Sequence, residues 1–208
     1  GGSYGTDLER PVETVNFYDL LVFCNELSIK VGLDPVYSIN GSTNPFDWGA
    51  VPVNNDQIWN NVVMDMSKNG FRLPTAAEWE YAARGGKYKQ NYNYSGSNTA
   101  GNVAWYVDNS FTRTHTVKTK LPNAIGIYDM SGNVAEWCFD NWKNDYTGFP
   151  TTPDPVVLDN NNNKVRVIRG GAYPSAIIAL RVFYRSQDDA PDKISRYGFR
   201  VVVRLPAD

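Results

Sequence analysis

Apolar side chains recur at helical spacing in two short segments of the chain. After Asn16 they return every three or four residues as far as Leu27, which predicts an amphipathic helix that ends before Gly32. A second helix is predicted after Thr75, because Thr75 can cap the N-terminus and Glu78 stands three residues on, as a capping box requires. A glycine pair then stops this second helix.

Shorter apolar runs predict strands. The segments Val36–Ile39 and Asn54–Met66 are separated by turn residues, which predicts a small hairpin. The segments Val165–Arg169 and Gly198–Val203 run or alternate as core strands do, so we expect them to pair in a central sheet. The Asn-rich tract Asp159–Lys164 is predicted to be the tip of a hairpin.

No shift in composition divides the 208 residues, so residues 1–208 are predicted to form one domain with a hydrophobic core. The predicted helices and strands are few and short. Between them lie long polar stretches such as 87–123, dense in Tyr, Asn, Ser and Gly. Together these features predict an α+β fold with much ordered loop.

Charge and hydropathy narrow the possible partners. Twenty basic and 22 acidic residues, with a net charge of -2, leave no basic stripe for phosphates, so nucleic acid is not an expected partner. The longest apolar runs, such as Val201–Val203, are far shorter than the roughly 20 residues that span a bilayer, so no transmembrane segment is predicted. The first residues, Gly1–Gly5, lack the features of a signal peptide.

The residues that most often carry chemistry are scarce. The two cysteines, Cys24 and Cys138, are too far apart for a paired zinc or thioredoxin-type motif, and buried free thiols are favoured over a disulfide. The single histidine, His115, lies between two threonines and is interpreted as a loop or surface residue, since one imidazole cannot build a multi-histidine metal site.

Three blocks of sequence, in this order, resemble the formylglycine-generating enzyme (sulfatase-modifying factor) family. The first is Gly70–Gly86 and the second is Gly132–Trp137. The third begins with Arg169-Gly170-Gly171-Ala172-Tyr173 and closes with Tyr197-Gly198-Phe199-Arg200. The resemblance covers most of the chain and implies a C-type-lectin-like fold, in which short helices and strands alternate with ordered loop.

The chain departs from this family where its catalytic cysteines are expected. The resemblance places them just after Tyr173, but the segment Tyr173–Arg185 contains no cysteine. A copper-dependent oxidase needs soft thiolate ligands, and iron-binding relatives need several histidines. We therefore predict a protein that is not an enzyme and requires no cofactor. An enzyme of the formylglycine-generating family, or a derivative oxidoreductase, is the alternative, and an inert structural subunit is a third.

The resemblance also implies a structural calcium site. Its ligands would be two carboxylates and two backbone carbonyls, a set of hard oxygens that suits calcium: Asp129, Gly132, Val134 and Glu136. The competing interpretation is that Asp129 and Glu136 make hydrogen bonds to this turn with no metal. Both interpretations remain open at this point.

Within the family, the chain is most similar to the variable proteins of diversity-generating retroelements, of the spirochaete type. In that group, adenine-directed mutagenesis changes codons near the C-terminus while interspersed residues stay fixed. The fixed frame here would be Arg169–Gly171, Leu180–Val182, Arg185 and Gly198–Arg200. The ligand-binding candidates are eleven of the residues that lie between these frame positions: Tyr173, Pro174, Ser175, Ala176, Ile177, Ile178, Phe183, Tyr184, Ser186, Asp188 and Asp189. The alternative is that the mostly apolar segment Tyr173–Ile178 belongs to the hydrophobic core.

The resulting prediction is a binding module with a variable surface near its C-terminus. Exposed aromatic and aliphatic side chains would supply contact area for a macromolecular ligand, either a protein or a surface glycan. Arg181 and Arg185 are expected to brace the frame through carboxylate pairs rather than to touch ligand. By resemblance, the protein would act as a lipoprotein at the bacterial cell surface or outside the cell.

Overall fold

The computed structural model describes residues 8–145, 155–158 and 163–204. Four α-helices lie in these ranges: α1 (Phe17–Lys30), α2 (Gln57–Asn60), α3 (Ala76–Ala83) and α4 (Ala100–Val103). Three 3-10 helices accompany them: Pro45–Trp48, Gly86–Tyr88 and Ile177–Leu180. The strands are β1 (Tyr37–Ser38), β2 (Val63–Met64), β3 (Phe71–Arg72), β4 (Ala135–Asn141), β5 (Val165–Arg169), β6 (Arg185–Asp189), β7 (Tyr197–Gly198) and β8 (Val202–Val203).

Both predicted helices are confirmed, together with their caps. The Asn16 side chain accepts a hydrogen bond from the amide of Asp19, and the Asp19 carboxylate accepts one from the Asn16 amide. Thr75 and Glu78 form the same reciprocal pair at the start of α3. Each pair satisfies amide groups that have no partner within their helix, which fixes where the helix begins.

The central sheet has the strand order β6-β5-β4-β7. Strand β4 pairs antiparallel with β5 and parallel with β7. All seven of its residues are buried, because other elements cover both faces of the sheet. The predicted direct pairing of Val165–Arg169 with Gly198–Val203 is therefore wrong: β4 lies between them, and Val202–Val203 pairs instead with β3.

The predicted small hairpin is present in reduced form. Tyr37–Ser38 pairs antiparallel with Val63–Met64, two residues on each side. The rest of the expected second strand is different, because Gln57–Asn60 forms a helical turn that Asp56 caps through the amides of Ile58 and Trp59. A capping aspartate before a short apolar stretch thus favoured a helix where we predicted a strand.

The two faces of the central sheet bury different core clusters. Helix α1 covers one face, where Phe17 packs with Trp137 and Phe139 of β4. On the opposite face, Trp79 of α3 packs with Cys138. Alternate residues of β4 thus serve alternate faces, as the period of a strand requires.

A third cluster lies outside the sheet. Leu180 packs there with apolar residues of the loop that surrounds α4, including Tyr94 and Tyr106. The stretch 87–123 is thus ordered by its own aromatic side chains. Within the described ranges, every helix is too short or too polar to cross a lipid bilayer.

The predicted α+β class, with few short helices and strands and much ordered loop, is confirmed by these elements. Of the predicted hairpin tip Asp159–Lys164, residues 159–162 lie outside the described residues, while Asn163 and Lys164 form a turn before β5. Both cysteines are free and buried, as predicted.

Candidate functional site

The segment Tyr173–Ile178, here called the contact segment, leaves the central sheet through a glycine pair. Gly170 and Gly171 follow β5 with φ angles of 87° and 66°, a left-handed conformation that favours glycine. A Cβ atom on Gly171 would lie 2.8 Å from the carbonyl oxygen of Ala179, and one on Gly170 would lie 3.1 Å from the Trp79 ring. The pair therefore lets the chain fold back closely on itself.

The backbone of the contact segment is held by hydrogen bonds from the surrounding frame. The Tyr173 amide donates to the carbonyl of Asn133 (2.9 Å), and the Val107 amide donates to the carbonyl of Ser175 (3.2 Å). The Ser110 hydroxyl donates to the carbonyl of Tyr173 (2.8 Å). A turn is closed by the Ala172 amide, which donates to the Ser175 hydroxyl (2.9 Å). Within the contact segment, only one of these bonds uses a side chain, that of Ser175.

Four other side chains of the contact segment face outward, whereas Tyr173 is half-buried. Ile177 and Ile178 are each 46% exposed, and Pro174 and Ala176 are also exposed. The next residue that points inward is Leu180, which is fully buried. The alternative interpretation of this segment as core is therefore wrong for Pro174, Ala176, Ile177 and Ile178. These four side chains lie on the surface, whereas that of Leu180 is buried.

The remaining candidates divide into two groups. Phe183 is 48% exposed, and Tyr184 is half-buried. The others, on strand β6, already have partners within the fold: Asp188 accepts a hydrogen bond from the Tyr197 hydroxyl (2.6 Å), and Asp189 pairs with Lys164 (2.9 Å). Ser186 is half-buried and donates to the carbonyl of Ile168 (3.4 Å).

Two arginines other than the predicted ones brace the frame against carboxylates. Arg169, which is 1% exposed, pairs with Glu80, and Arg200 makes a bidentate pair with Glu136 at 2.6 and 2.7 Å. Such fork-to-carboxylate pairs fix geometry as well as charge.

The predicted bracing arginines make different contacts. The Arg181 guanidinium lies over the Phe183 ring, 5.8 Å from its centroid. The Arg185 guanidinium lies over the Trp142 ring and donates to the carbonyl of Lys143. Among the described residues Arg181 pairs with no carboxylate, so the predicted brace is wrong for Arg181. The carboxylate pair of Arg185 stays a prediction.

Sequence reasoning missed a neighbouring loop. Val107 and Phe111 are 49% and 79% exposed, and Val107 is bonded directly to the contact segment. Phe111 has a φ angle of 52°, a conformation that is rare for a bulky residue and often marks a functional surface. No periodic pattern in the loop indicated this, and the only available clue was an aromatic residue among small polar ones.

The family model for the sulfatase-modifying factor enzyme 1-like domain matches residues 3–205. The chain belongs to this family. Chaperone protein LppX of Paenibacillus barcinonensis is 38% identical over 93% of this chain and 70% of its own length. Formylglycine-generating enzyme of Streptomyces coelicolor is 34% identical over 68% of this chain, and this chain spans 49% of its length. The solved structure of Treponema denticola variable protein 1 is 39% identical, with a TM-score of 0.85, over 99% of this chain and 75% of that one.

The chain has two thiols and one imidazole; the thiols are buried and the imidazole is half-buried. Burial raises the pKa of the Cys24 thiol to about 12 and that of the Cys138 thiol well above its ordinary value, so neither forms a thiolate near neutral pH. His115 is half-buried rather than a simple surface residue. Its ring stacks on Trp105 at 3.9 Å, and its Nε2 atom lies 2.7 Å from the carbonyl of Ser110.

Three of the residues predicted to bind calcium lie in the stretch that leads into β4, and the fourth, Glu136, is the second residue of β4. Both carboxylate oxygens of Glu136 are engaged, since Oε1 and Oε2 accept from Arg200 and Oε2 also accepts from Trp79. Asp129 accepts from the amide of Lys118 (2.8 Å), and burial raises the pKa of its carboxyl group. The amide of Gly132 donates a hydrogen bond to the carbonyl of Gly170. A cation at this turn would have to share Glu136 with a guanidinium.

Proposed function

We propose that this chain is a non-catalytic binding protein that displays a variable surface near its C-terminus. The surface is centred on Tyr173, Pro174, Ser175, Ala176, Ile177 and Ile178, with Phe183 and Tyr184 beside it and Ser186, Asp188 and Asp189 on the adjoining strand. Its ligand is a macromolecule, either a protein or a surface glycan, met at the bacterial cell surface or outside the cell. Likeness to Treponema denticola variable protein 1 supports this proposal.

One observation carries the proposal: the contact segment is fixed by its backbone while most of its side chains stay outside. The hydrogen bonds that Asn133, Val107 and Ser110 make with the segment all involve main-chain atoms of the segment. Main-chain bonds are independent of side-chain identity. Residues 174 and 176–178 can therefore change without changing the path of the chain, as a surface that varies requires.

The exposed side chains suit capture of a ligand. Aliphatic and aromatic groups that lie together on a surface contribute most when a partner buries them, since each side chain loses its contact with water. Because the supporting backbone is already ordered, little conformational entropy is lost on binding. The aliphatic members favour a protein ligand over a glycan, because they offer no hydrogen bonds to sugar hydroxyl groups.

The scaffold role can be tested with two libraries of equal size. In the first, Pro174, Ala176, Ile177 and Ile178 are randomised; in the matched control, Ala172, Leu180 and Val182 are randomised, all of which are buried. Resistance of yeast-displayed members to protease reports folding. We expect most members of the first library and few of the second to fold, and the first to yield binders to a test protein such as lysozyme. Equal losses of folded members in both libraries would contradict the proposal.

The enzyme alternative has a direct assay. A cysteine-containing sulfatase peptide is incubated with the protein, copper, dissolved oxygen as the oxidant and a thiol reductant, and the mass loss that accompanies formylglycine formation is followed. We expect no turnover, because both thiols are enclosed and the segment Tyr173–Arg185 has no cysteine. Turnover that survives replacement of Cys24 and Cys138 by serine would establish a different chemistry; turnover lost in that variant would assign it to these thiols.

The calcium site remains a proposal with its own measurement. If Asp129, Gly132, Val134 and Glu136 bind calcium, added calcium raises the melting temperature relative to chelator, and Asp129→Asn abolishes that rise. A melting temperature that is the same in calcium and in chelator would assign both carboxylates to hydrogen bonding alone.

The origin of the variable surface can be checked in the genome. We expect a reverse transcriptase gene near this one, with a near-copy of the final codons that differs from them at adenines. Exposure at the cell surface is testable by treating intact cells with protease, which should remove the protein.

A further inference from the structure

A cleft lies between helix α3 and the central sheet, on the face opposite helix α1. One face of the helix forms its first wall, through Ala76 and Ala77, then Glu80 and Tyr81, and finally Arg84, at the spacing of successive turns. The sheet forms the second wall, where Val167 and Arg169 of β5 stand near Val157. The cavity volume is about 340 Å³, within the usual range for small-molecule sites.

The cleft exists because small residues occupy the first turn of α3. A helix that packs on a sheet normally fills the space between them with large side chains, and voids of this size are rare in protein interiors. At this end of α3 the chain carries Ala76 and Ala77, whereas Trp79 fills the space at the sheet centre. An apolar floor is therefore left accessible beside α3.

Basic side chains outnumber acidic ones by one in the lining of the cleft. Arg84, Arg169 and Arg185 all line it, together with the carboxylates of Glu80 and Asp140. Both carboxylates are already committed. Glu80 is shared between Arg84 (2.8 Å) and Arg169 (2.5 Å), and Asp140 accepts from the backbone amides of Ala76 (2.7 Å) and Val157 (3.0 Å).

One buried polar atom at the cleft lacks a hydrogen-bond partner. Arg169 is 1% exposed, and its Nε atom makes no hydrogen bond although both terminal nitrogens do. A buried donor without a partner costs free energy, and a ligand oxygen in the cleft would supply one.

We propose that this cleft is a second binding site, which takes a small organic carboxylate with an apolar body, such as an arylalkyl acid. The apolar part would lie on Ala76, Ala77 and Val167, and the carboxylate would face Arg84 and Arg169. The site shares no residue with the contact segment, because it is lined by α3, β5 and the C-terminal end of β4.

The test uses 4-phenylbutyrate and its matched alcohol, 4-phenyl-1-butanol, titrated into the whole chain and followed by heteronuclear NMR. We expect the acid to bind with a Kd of about 1 mM or tighter, as its size allows, and to shift the amide signals of Ala76 and Ala77. The alcohol should bind at least about tenfold more weakly, since it lacks the charge. Absence of binding by the acid at about 10 mM, or equal binding of the alcohol, overturns the proposal.

Four variants separate cleft binding from adsorption elsewhere on the protein. Ala77→Phe fills the cleft from an exposed helix position and should abolish binding of the acid, whereas Ala50→Phe, at an exposed loop position, should leave it unchanged. Arg84→Gln should weaken the acid about tenfold but not the alcohol, and Arg84→Lys should restore most of the loss. Full binding by Ala77→Phe, with a native spectrum, would refute the site.

Discussion

The contact segment and the frame around β4 are stabilised in opposite ways. In the frame, side chains carry the structure, as Arg200 with Glu136 and Arg169 with Glu80 join distant segments through charged pairs with little access to water. In the contact segment, the main chain carries the structure and most side chains point outward. The difference teaches that the contact segment should tolerate substitution better than the frame does, because hydrogen bonds of the main chain do not depend on which side chain is present.

The largest expected effect comes from breaking a frame pair. Arg200→Ala leaves the Glu136 carboxylate, 5% exposed, without its bidentate partner, and should cost about 3–5 kcal/mol of unfolding free energy. Urea denaturation measures the loss. Arg200→Lys, which keeps the charge but not the fork, should lose less. A loss below about 1 kcal/mol for Arg200→Ala would mean that the frame does not depend on this pair.

The next effect depends on pH. Burial raises the pKa of Asp140 to about 6 from its ordinary 3.8, so between these values the folded state binds more protons than the unfolded chain. The contribution of Asp140 to stability is therefore greatest below pH 4 and falls as pH rises through 6, by at most about 3 kcal/mol. The difference in unfolding free energy between wild type and Asp140→Asn should follow this course. A difference that is flat from pH 4 to pH 7 would contradict it.

A smaller effect is expected at the boundary between the two regions. Gly171→Ala places a Cβ 2.8 Å from the carbonyl oxygen of Ala179 at a φ of 66°, which should cost about 2–3 kcal/mol. Gly126→Ala is the matched control: its φ is 77°, but no atom lies within 4 Å. The control should cost only the conformational term of about 1 kcal/mol. Equal losses would show that the close approach to Ala179 is not a constraint.

The smallest effect is expected inside the contact segment itself. Ile177→Ser and Ile178→Ser should each change the unfolding free energy by no more than about 0.5 kcal/mol, because both side chains are nearly half exposed. Leu180→Ala, in the same 3-10 helix but fully buried, should cost about 2–5 kcal/mol. Thermal melting of the three variants side by side tests the comparison. Similar losses in all three variants would show that the exposed and the buried positions of this 3-10 helix contribute equally to stability.

The sequence revealed local structure better than long-range pairing. Both capped helices were predictable because the capping residues and the apolar spacing lie within a few positions of each other. The order of strands was not, since β4 enters the sheet between two strands that lie after it in the chain, and nothing local to Ala135–Asn141 specifies its neighbours. Short strands of two residues also carry too little pattern to be recognised.

The family resemblance pointed to the contact segment as the candidate surface, but its surroundings were not predictable from the sequence. The loop with Val107 and Phe111 joins it through hydrogen bonds between residues far apart in sequence. The cleft beside α3 had no signal either, because an alanine pair in a helix is unremarkable until the facing strand is known. Sites made by tertiary packing therefore need coordinates.

The enclosure of both thiols has a consequence for where the protein can work. Cys24 and Cys138 are the only sulfhydryl groups in the chain, and each lies in a different core cluster with no access to solvent. Neither can be captured by glutathione or joined to another chain without unfolding. The folded domain should therefore behave identically in oxidising and in reducing surroundings.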